Sequence, residues 1–482
     1  MSTRPQTPRI DELQAALDLG DLDGVRRSLL RMDGDEERLL ELEMGAEALA
    51  RARSAAARGR RRGKLGKVLV LPGIMGTELD SVDRKGDADR IWIDFLRLIA
   101  GRIADLELTP AGDPARPGFH VRTAGLHRKT YVPLLMELDT RWHVRPFPFD
   151  WREDLDASAA RLDAEVRAFG GGDPVHLVAH SMGGLVARRF AQLFPETWRA
   201  TDDAGGGGRG GRLVMLGTPN RGSFAIPLTI SGAEKVVQLL AKADLQHSLG
   251  ELLGIISTFP GMYQMLPSPL VELDDDHERL FDVASWGRLP VRGPLLAKAR
   301  KVIEGLATVL DPHRLVYIAG VNRETPSAIR IDAAGRFSYR QTLDGDGRVT
   351  HELGLLVAEG VPTYWVDEVH GDLPKNGQVL DALSGLLQAG TTDVLTRTKP
   401  PKPATRAAPR GWRSAEAVAP TPVDVELILE GARTRRATGE TALTREEEIR
   451  LENLALAEYL GSGAEPAAVV RGLGLAAPGE IG

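Results

Sequence analysis

Val175-His-Leu-Val-Ala-His-Ser-Met-Gly-Gly184 is an apolar run that breaks at Ser181 between small residues and then turns helical. Val175, Leu177 and Val178 read as a buried strand, and Leu185-Val-Ala-Arg-Arg-Phe-Ala191 carries the spacing of a helix. A serine between such a strand and such a helix sits on a turn so sharp that only small residues two before and two after it let the chain close. Ala179 and Gly183 fill those places. The five-residue pattern alone is common by chance, and its first glycine is alanine here. Its strand, turn and helix setting gives it weight.

Outward from this turn the chain keeps alternating. Lys67-Val-Leu-Val-Leu-Pro-Gly73 reads as a buried strand that opens a core domain, and further strand candidates lie at 142–149, 175–180, 213–218, 315–320 and 363–366. Helical patterns fall between most of them, which predicts an α/β architecture with a mainly parallel sheet covered on both faces. With a serine on the strand-to-helix turn, that is the α/β-hydrolase fold. Residues 223–312 break the alternation with helical apolar patterns (Val236, Leu239, Leu240; Leu249, Leu252, Leu253, Ile256) and Phe259-Pro-Gly-Met-Tyr-Gln-Met-Leu-Pro267, so an inserted helical cap is expected there. Residues 1–64 read as a helical N-terminal extension ending in Arg58-Gly-Arg-Arg-Arg-Gly-Lys64, a basic run expected to be a solvated linker. The hydrolase domain is expected over 65–397, a proline-rich linker over 398–422, and a helical C-terminal extension over 423–482, with a capping box at Thr444. Ala204-Gly-Gly-Gly-Gly-Arg-Gly-Gly211 lacks the Lys-Ser/Thr of a phosphate cradle and reads as a surface loop.

Composition narrows the function. The 482 residues carry a net charge of −6 with both signs interspersed, which leaves no electrostatic footprint for nucleic acid. Without cysteine, disulfides, thiolate catalysis and Cys-ligated metals are excluded. No cofactor or metal is implied. The N-terminal residues lack the layout of a secretory signal, and no apolar stretch approaches the roughly 20 residues that span a bilayer, so no transmembrane segment and a cytoplasmic location are expected.

A serine hydroxyl attacks only when a base takes its proton, and on this fold the partners follow in the order serine, acid, histidine. His370 follows Thr363-Tyr-Trp-Val-Asp-Glu-Val369, a late strand, where the fold delivers its base. The rival, His351, opens a helical pattern five positions past the best acid. That acid lies in Leu343-Asp-Gly-Asp-Gly-Arg-Val349, whose glycines let the loop bend; Asp346 is favoured over Asp344. His180, beside the serine, points away from it and is assigned to packing. An oxyanion needs two backbone N–H donors: Met182 after the nucleophile, and one from Leu71-Pro-Gly-Ile-Met-Gly-Thr77, where Ile74 is the better candidate and Met75 the second.

Leu71-Pro-Gly-Ile-Met-Gly-Thr-Glu-Leu79, Pro148-Phe-Asp-Trp-Arg152, Ala179-His-Ser-Met-Gly-Gly184, Leu216-Gly-Thr-Pro-Asn-Arg-Gly-Ser223 and Gly345-Asp-Gly-x-Val349, in this order, resemble the lecithin:cholesterol acyltransferase and phospholipid:diacylglycerol acyltransferase family with its related lysosomal phospholipases. The resemblance spans about 66–390 and excludes both ends. It implies Ser181 as nucleophile, Asp346 as acid, His370 as base, Ile74 and Met182 as oxyanion donors, and a cap over the acyl site. The chain departs from the family at Gly347-Arg-Val-Thr350, where Gly-Thr-Val-Pro is the pattern, and the disulfides of secreted members cannot form. The activity implied is hydrolysis of a carboxylic ester through an acyl-enzyme, or acyl transfer to an alcohol, since the two differ only in the hydroxyl that enters second. A cap rich in Leu, Ile and Met points to a lipid-like ester, although buried core has the same composition. Two other readings share these residues: a hydrolase-fold platform whose terminal helices bind a protein partner, and a thioesterase or peptidase. The ends hold no triad candidate, so residues 65–397 alone are expected to turn over a small soluble ester.

Overall fold

The computed structural model describes residues 9–61, 63–92, 101–202, 210–234, 237–238, 240–241, 246–333, 335–403 and 411–414. Its strands are β1 (Lys67–Leu71), β2 (Thr77–Val82), β3 (Ala88–Trp92), β4 (His120–Leu126), β5 (His143–Pro146), β6 (Val175–His180), β7 (Leu213–Leu216), β8 (Leu315–Gly320), β9 (Thr325–Ile331), β10 (Phe337–Thr342), β11 (Thr363–Val366) and β12 (Arg413–Ser414). The main sheet runs β11-β8-β7-β6-β1-β5 and every neighbouring pair in it is parallel.

Its strands are apolar on both faces, and the pleat divides each between two cores. Val68, Val70, Val178, Val214, Leu216, Val316 and Ile318 face one core, while Leu69, Leu71, Leu177, Ala179, Met215 and Tyr317 face the other. The second core is covered by α6 (Leu155–Gly170) and α7 (Met182–Leu193) and runs on through α8 (Ala225–Ile230), α9 (Leu249–Ile256) and α10 (Gly293–Leu306) of the 223–312 stretch. Val236, Leu239, the Ala204–Arg209 stretch and the expected C-terminal helices around Thr444 lie outside the described residues.

The first core is closed by α5 (Arg128–Asp139) and α11 (Gly377–Ala389), and beyond them by α1 (Arg9–Asp18), α2 (Leu22–Arg31), α3 (Gly34–Met44) and α4 (Ala46–Arg58). Leu13, Val25, Leu29, Leu40, Leu49 and Ala52 are buried in one continuous cluster with residues of α5, α11 and the sheet. The basic run, exposed at Arg58, Arg60, Arg61 and Gly63, is nevertheless tied to α5. Arg58 pairs with Glu137 at 2.7 Å, and Arg60 holds Asp139 and Asp23 at 3.0 and 2.8 Å. Lys64 donates to the Trp142 carbonyl at 2.9 Å. The reason is electrostatic: Glu137 and the buried Asp139 stand at the C-terminal end of α5, the negative end of its dipole, and cations collect there. The expected linker after 397 is likewise partly built in, for Lys399 and Lys402 pair with Asp344 and Arg413–Ser414 adds β12 to β10.

Two antiparallel sheets, β3-β2-β4 and β12-β10-β9, were not anticipated from the sequence. β2 is buried along its whole length yet holds Glu78, Asp80 and Ser81; Asp80 is paired with Arg90 at 2.6 Å and Arg122 at 2.9 Å. Such a strand has no alternating pattern to read.

Because α1–α4 share a core with α5 and α11, removing residues 1–64 strips an apolar layer from the domain. We expect fragment 65–397 to lose cooperative melting, and Leu29→Ala, deep in α2, to cost about 2–5 kcal/mol in urea unfolding of the whole chain, with activity and fluorescence lost at one lowered midpoint. Retention of the wild-type midpoint for the rest of the chain in Leu29→Ala would show the helices to be an independent unit.

Candidate active site

Adjacent parallel strands β1 and β6 end side by side, with Leu71 opposite Ala179, so the loop after β1 emerges next to the turn after β6. Ser181 stands on that turn with φ +51° and ψ −122°, a backbone that non-glycine residues rarely adopt. The tightness of the turn is measurable at Gly183. A Cβ there would lie 2.4 Å from the Pro72 carbonyl oxygen and 2.9 Å from that of Leu71, so only glycine lets the helix start against the first loop.

The structure brings Ser181, Asp346 and His370 together. Ser181 Oγ lies 2.8 Å from His370 Nε2, and His370 Nδ1 lies 2.8 Å from Asp346 Oδ2. All three side chains are buried. With Nδ1–H donating to the carboxylate, Nε2 is left bare to accept the serine hydroxyl hydrogen. Burial by itself would raise the Asp346 carboxyl, but His370 and the N–H groups of Val349 (2.8 Å) and Arg348 (3.0 Å) together hold it below the usual carboxylate range. The His370 main chain is fixed by its own N–H, donated to the Asp346 carbonyl at 2.9 Å.

The alternatives are placed elsewhere. Asp344 is engaged by Lys399 and Lys402 at 2.6 and 2.7 Å, which draw its pKa down to about 2 against the raising effect of burial. His351 Nε2 donates to the Gly320 carbonyl at 3.0 Å, and its ring stands edge-on to Trp365. Met75 has φ +62° and gives its carbonyl to Trp92 Nε1 at 3.0 Å.

The two residues expected to donate lie on segments next to the serine. Met182 is the first residue of α7, so its N–H has no partner within the helix and points out of the positive end of the dipole. In the β1 loop the Gly73 carbonyl accepts from Gly76 N–H at 3.0 Å, and across a trans peptide this turns the Ile74 N–H the opposite way. Ile74, Ser181 and His370 line a cavity of about 30 Å³, room for roughly one water. Ile226 and Met265 of the 223–312 insertion close it on one side and Arg348 on another. Arg348, the departure from the Gly-Thr-Val-Pro pattern, pairs with Glu234 of the insertion at 2.7 Å.

Two contributions escaped sequence reasoning. Gly217 has φ +58°, and a Cβ there would lie 2.9 Å from both Asp346 Oδ2 and His370 Nδ1. His180 does not merely pack: its Nδ1 faces Tyr131 Oη at 2.9 Å and its Nε2 the His370 carbonyl at 3.0 Å. The Gly-Thr-Pro segment and the histidine next to the serine were the signals available for them.

No family model matches the chain. The lysosomal phospholipase A and acyltransferase of Rattus norvegicus is 32% identical over 129 residues, covering 22% of this chain and 31% of that protein. The match thus spans less than a third of that relative's length. Among solved structures, the Tle4–Tli4 complex aligns over 67% of this chain and 98% of that one with a TM-score of 0.40 and 13% identity. Mature Bacillus licheniformis lipase BlEst2 aligns over 68% of this chain and 94% of its own with a TM-score of 0.31 and 13% identity.

Gly217→Ala should push Asp346 from His370 without deleting any group. The expected result is loss of the low-field proton resonance of His370 Nδ1–H while cooperative melting persists; an unchanged resonance would refute the packing argument. Burial also lowers His176 to about 4 and His180 to about 3 from an ordinary 6.5. Below pH 6.5 the unfolded chain therefore binds protons that the folded chain refuses, so stability falls as pH drops from 6.5 toward these values. Melting temperature against pH should show that slope, and His176→Asn should flatten it.

Proposed function

We propose that this chain is a serine hydrolase of carboxylic esters with a lipid-like acyl group, working through an acyl-enzyme on Ser181. His370 Nε2 takes the Ser181 proton as Oγ bonds the ester carbon, and the oxyanion that forms accepts from the N–H of Ile74 and Met182. His370 then passes the proton to the departing alkoxide, which leaves as an alcohol. Asp346 holds the imidazole in the attacking tautomer and stabilises the imidazolium. Water enters by the same route in reverse and releases the carboxylic acid; an alcohol entering in its place gives a new ester.

The observation that carries this reading is the buried line Ser181 Oγ to His370 Nε2 to Asp346 Oδ2, with 2.8 Å at each step. A structural serine has no need of a buried imidazole backed by a buried carboxylate. The lipid-like acyl group is supported by the apolar insertion over the serine, through Ile226 and Met265, and by the stretch shared with a protein named as a phospholipase and acyltransferase. Among the described residues no helix is long and apolar enough to cross a membrane.

A fluorophosphonate probe should label Ser181, and a p-nitrophenyl ester panel should show turnover that depends on chain length. Ser181→Ala and His370→Ala should each lower kcat by about 10⁴-fold or more with the fold retained, and Asp346→Asn should lose most activity while Asp344→Asn loses little. Absence of labelling at Ser181 would favour the platform reading. Damage confined to Asp344→Asn, or to His351→Ala, would move the acid or the base. Adding a long-chain alcohol and assaying for its ester separates acyl transfer from hydrolysis.

A further inference from the structure

Beneath the serine a second buried line of hydrogen bonds runs from the β1 loop to the main chain of the base. Gly73 N–H donates to Tyr131 Oη at 2.7 Å, Tyr131 Oη lies 2.9 Å from His180 Nδ1, and His180 Nε2 lies 3.0 Å from the His370 carbonyl. The direction of every proton follows. A carbonyl can only accept, so His180 Nε2 carries hydrogen. Burial, reinforced by the neighbouring His370, lowers His180 to about 3 and keeps the ring neutral near pH 7, so Nδ1 is bare and must accept. Tyr131 therefore donates to Nδ1 and accepts from Gly73. Its phenol, pushed far up by burial, keeps the proton this requires.

We propose that Tyr131 and His180 are positioning residues that lock the oxyanion loop and the base into one register. The inference rests on the function proposed above. Gly73 immediately precedes Ile74, and both of its main-chain polar groups are held: its N–H donates to Tyr131 Oη and its carbonyl accepts from Gly76 N–H. His370 is held at its N–H by Asp346 and at its carbonyl by His180. Tyr131 comes from α5, which packs against the turn His370–Lys375, so one helix references both halves of the site. Space supports the same reading. A Cβ on Gly76 would come within 2.7 Å of Tyr131 Oη, and one on Gly73 within 2.9 Å of the Ser181 Cβ and 3.2 Å of His180 Nδ1. The loop, the serine and the relay therefore move as one block. A donor set out of place by a fraction of an ångström loses hold of the transition state while leaving ground-state binding alone.

Tyr131→Phe keeps the ring and removes the hydroxyl that joins Gly73 to His180. Expected are a fall in kcat of about 10- to 100-fold on p-nitrophenyl butyrate with KM within about twofold of wild type, a parallel loss of affinity for a trifluoromethyl ketone that mimics the tetrahedral adduct, and little change for a non-reactive ester analogue. His180→Asn can present an acceptor near the Nδ1 position and His180→Gln a donor near Nε2; each should recover part of the activity lost in His180→Ala, and should Tyr131→Phe fail to fold, this graded rescue carries the test. Wild-type kcat in Tyr131→Phe, or equal activity in all three His180 variants, overturns the inference. So does a loss confined to KM. Failure of the underlying function is distinguishable, because the wild-type chain itself would then resist fluorophosphonate labelling at Ser181.

Discussion

The chemistry depends on an approach that no side chain could enter, the one between Gly183 and the carbonyls of Leu71 and Pro72. It joins the end of β1 to the start of α7, and it ties down everything chemical. The strained backbone of Ser181 persists because β6, α7 and the β1 loop together leave it no other path, and a non-glycine φ of +51° is tolerable only under such over-determination. From that contact follow the positions of Met182, at the start of α7, and of the β1 loop that carries Ile74, the main chain proposed above to donate to the oxyanion. Dipoles held in place beforehand need no reorientation as charge develops.

The parallel sheet was legible from the sequence because its strands are buried on both faces and read as unbroken Val and Leu runs; 175–180, 315–320 and 363–366 end where those runs end. That Ser181, His370 and Asp346 would meet was legible for a different reason, since chain order and the strand ends restrict where each can sit. What stayed hidden depends on partners far away in the chain. Nothing local to Arg58–Lys64 says that Asp139 waits for it across 75 and more residues, so a paired seam reads as a solvated run. Tyr131 is separated from His180 by 49 positions and His180 from His370 by 190, so their line of hydrogen bonds exists only in three dimensions. The Asp344 and Asp346 ambiguity was of the same type. Two carboxylates one glycine apart in sequence are told apart by what surrounds them, lysines at the surface for one and imidazole in the interior for the other.

The N-terminal helices carry a further lesson about how charge and apolar surface cooperate. Asp139 is buried, and an isolated carboxylate there would be costly; Arg26, Arg60 and Lys64 make it tolerable. The same cations tie α2 and the segment after α4 to α5, whose other end delivers Tyr131 to the site. Glu43 and Arg128 repeat the arrangement at the opposite end of that helix, again buried and again linking an N-terminal helix to α5. An extension that holds no reactive group therefore helps set where the reactive groups stand.

Lys399 and Lys402 grip Asp344 at the surface, two residues from the carboxylate that meets His370. The loop is thereby anchored from inside by an imidazole and from outside by the segment that leads toward the C-terminus. Neutralising either lysine therefore acts on the loop two residues from Asp346. Ionic strength acts through the same attachment, since half-exposed pairs weaken with salt whereas the interior contact is shielded from it.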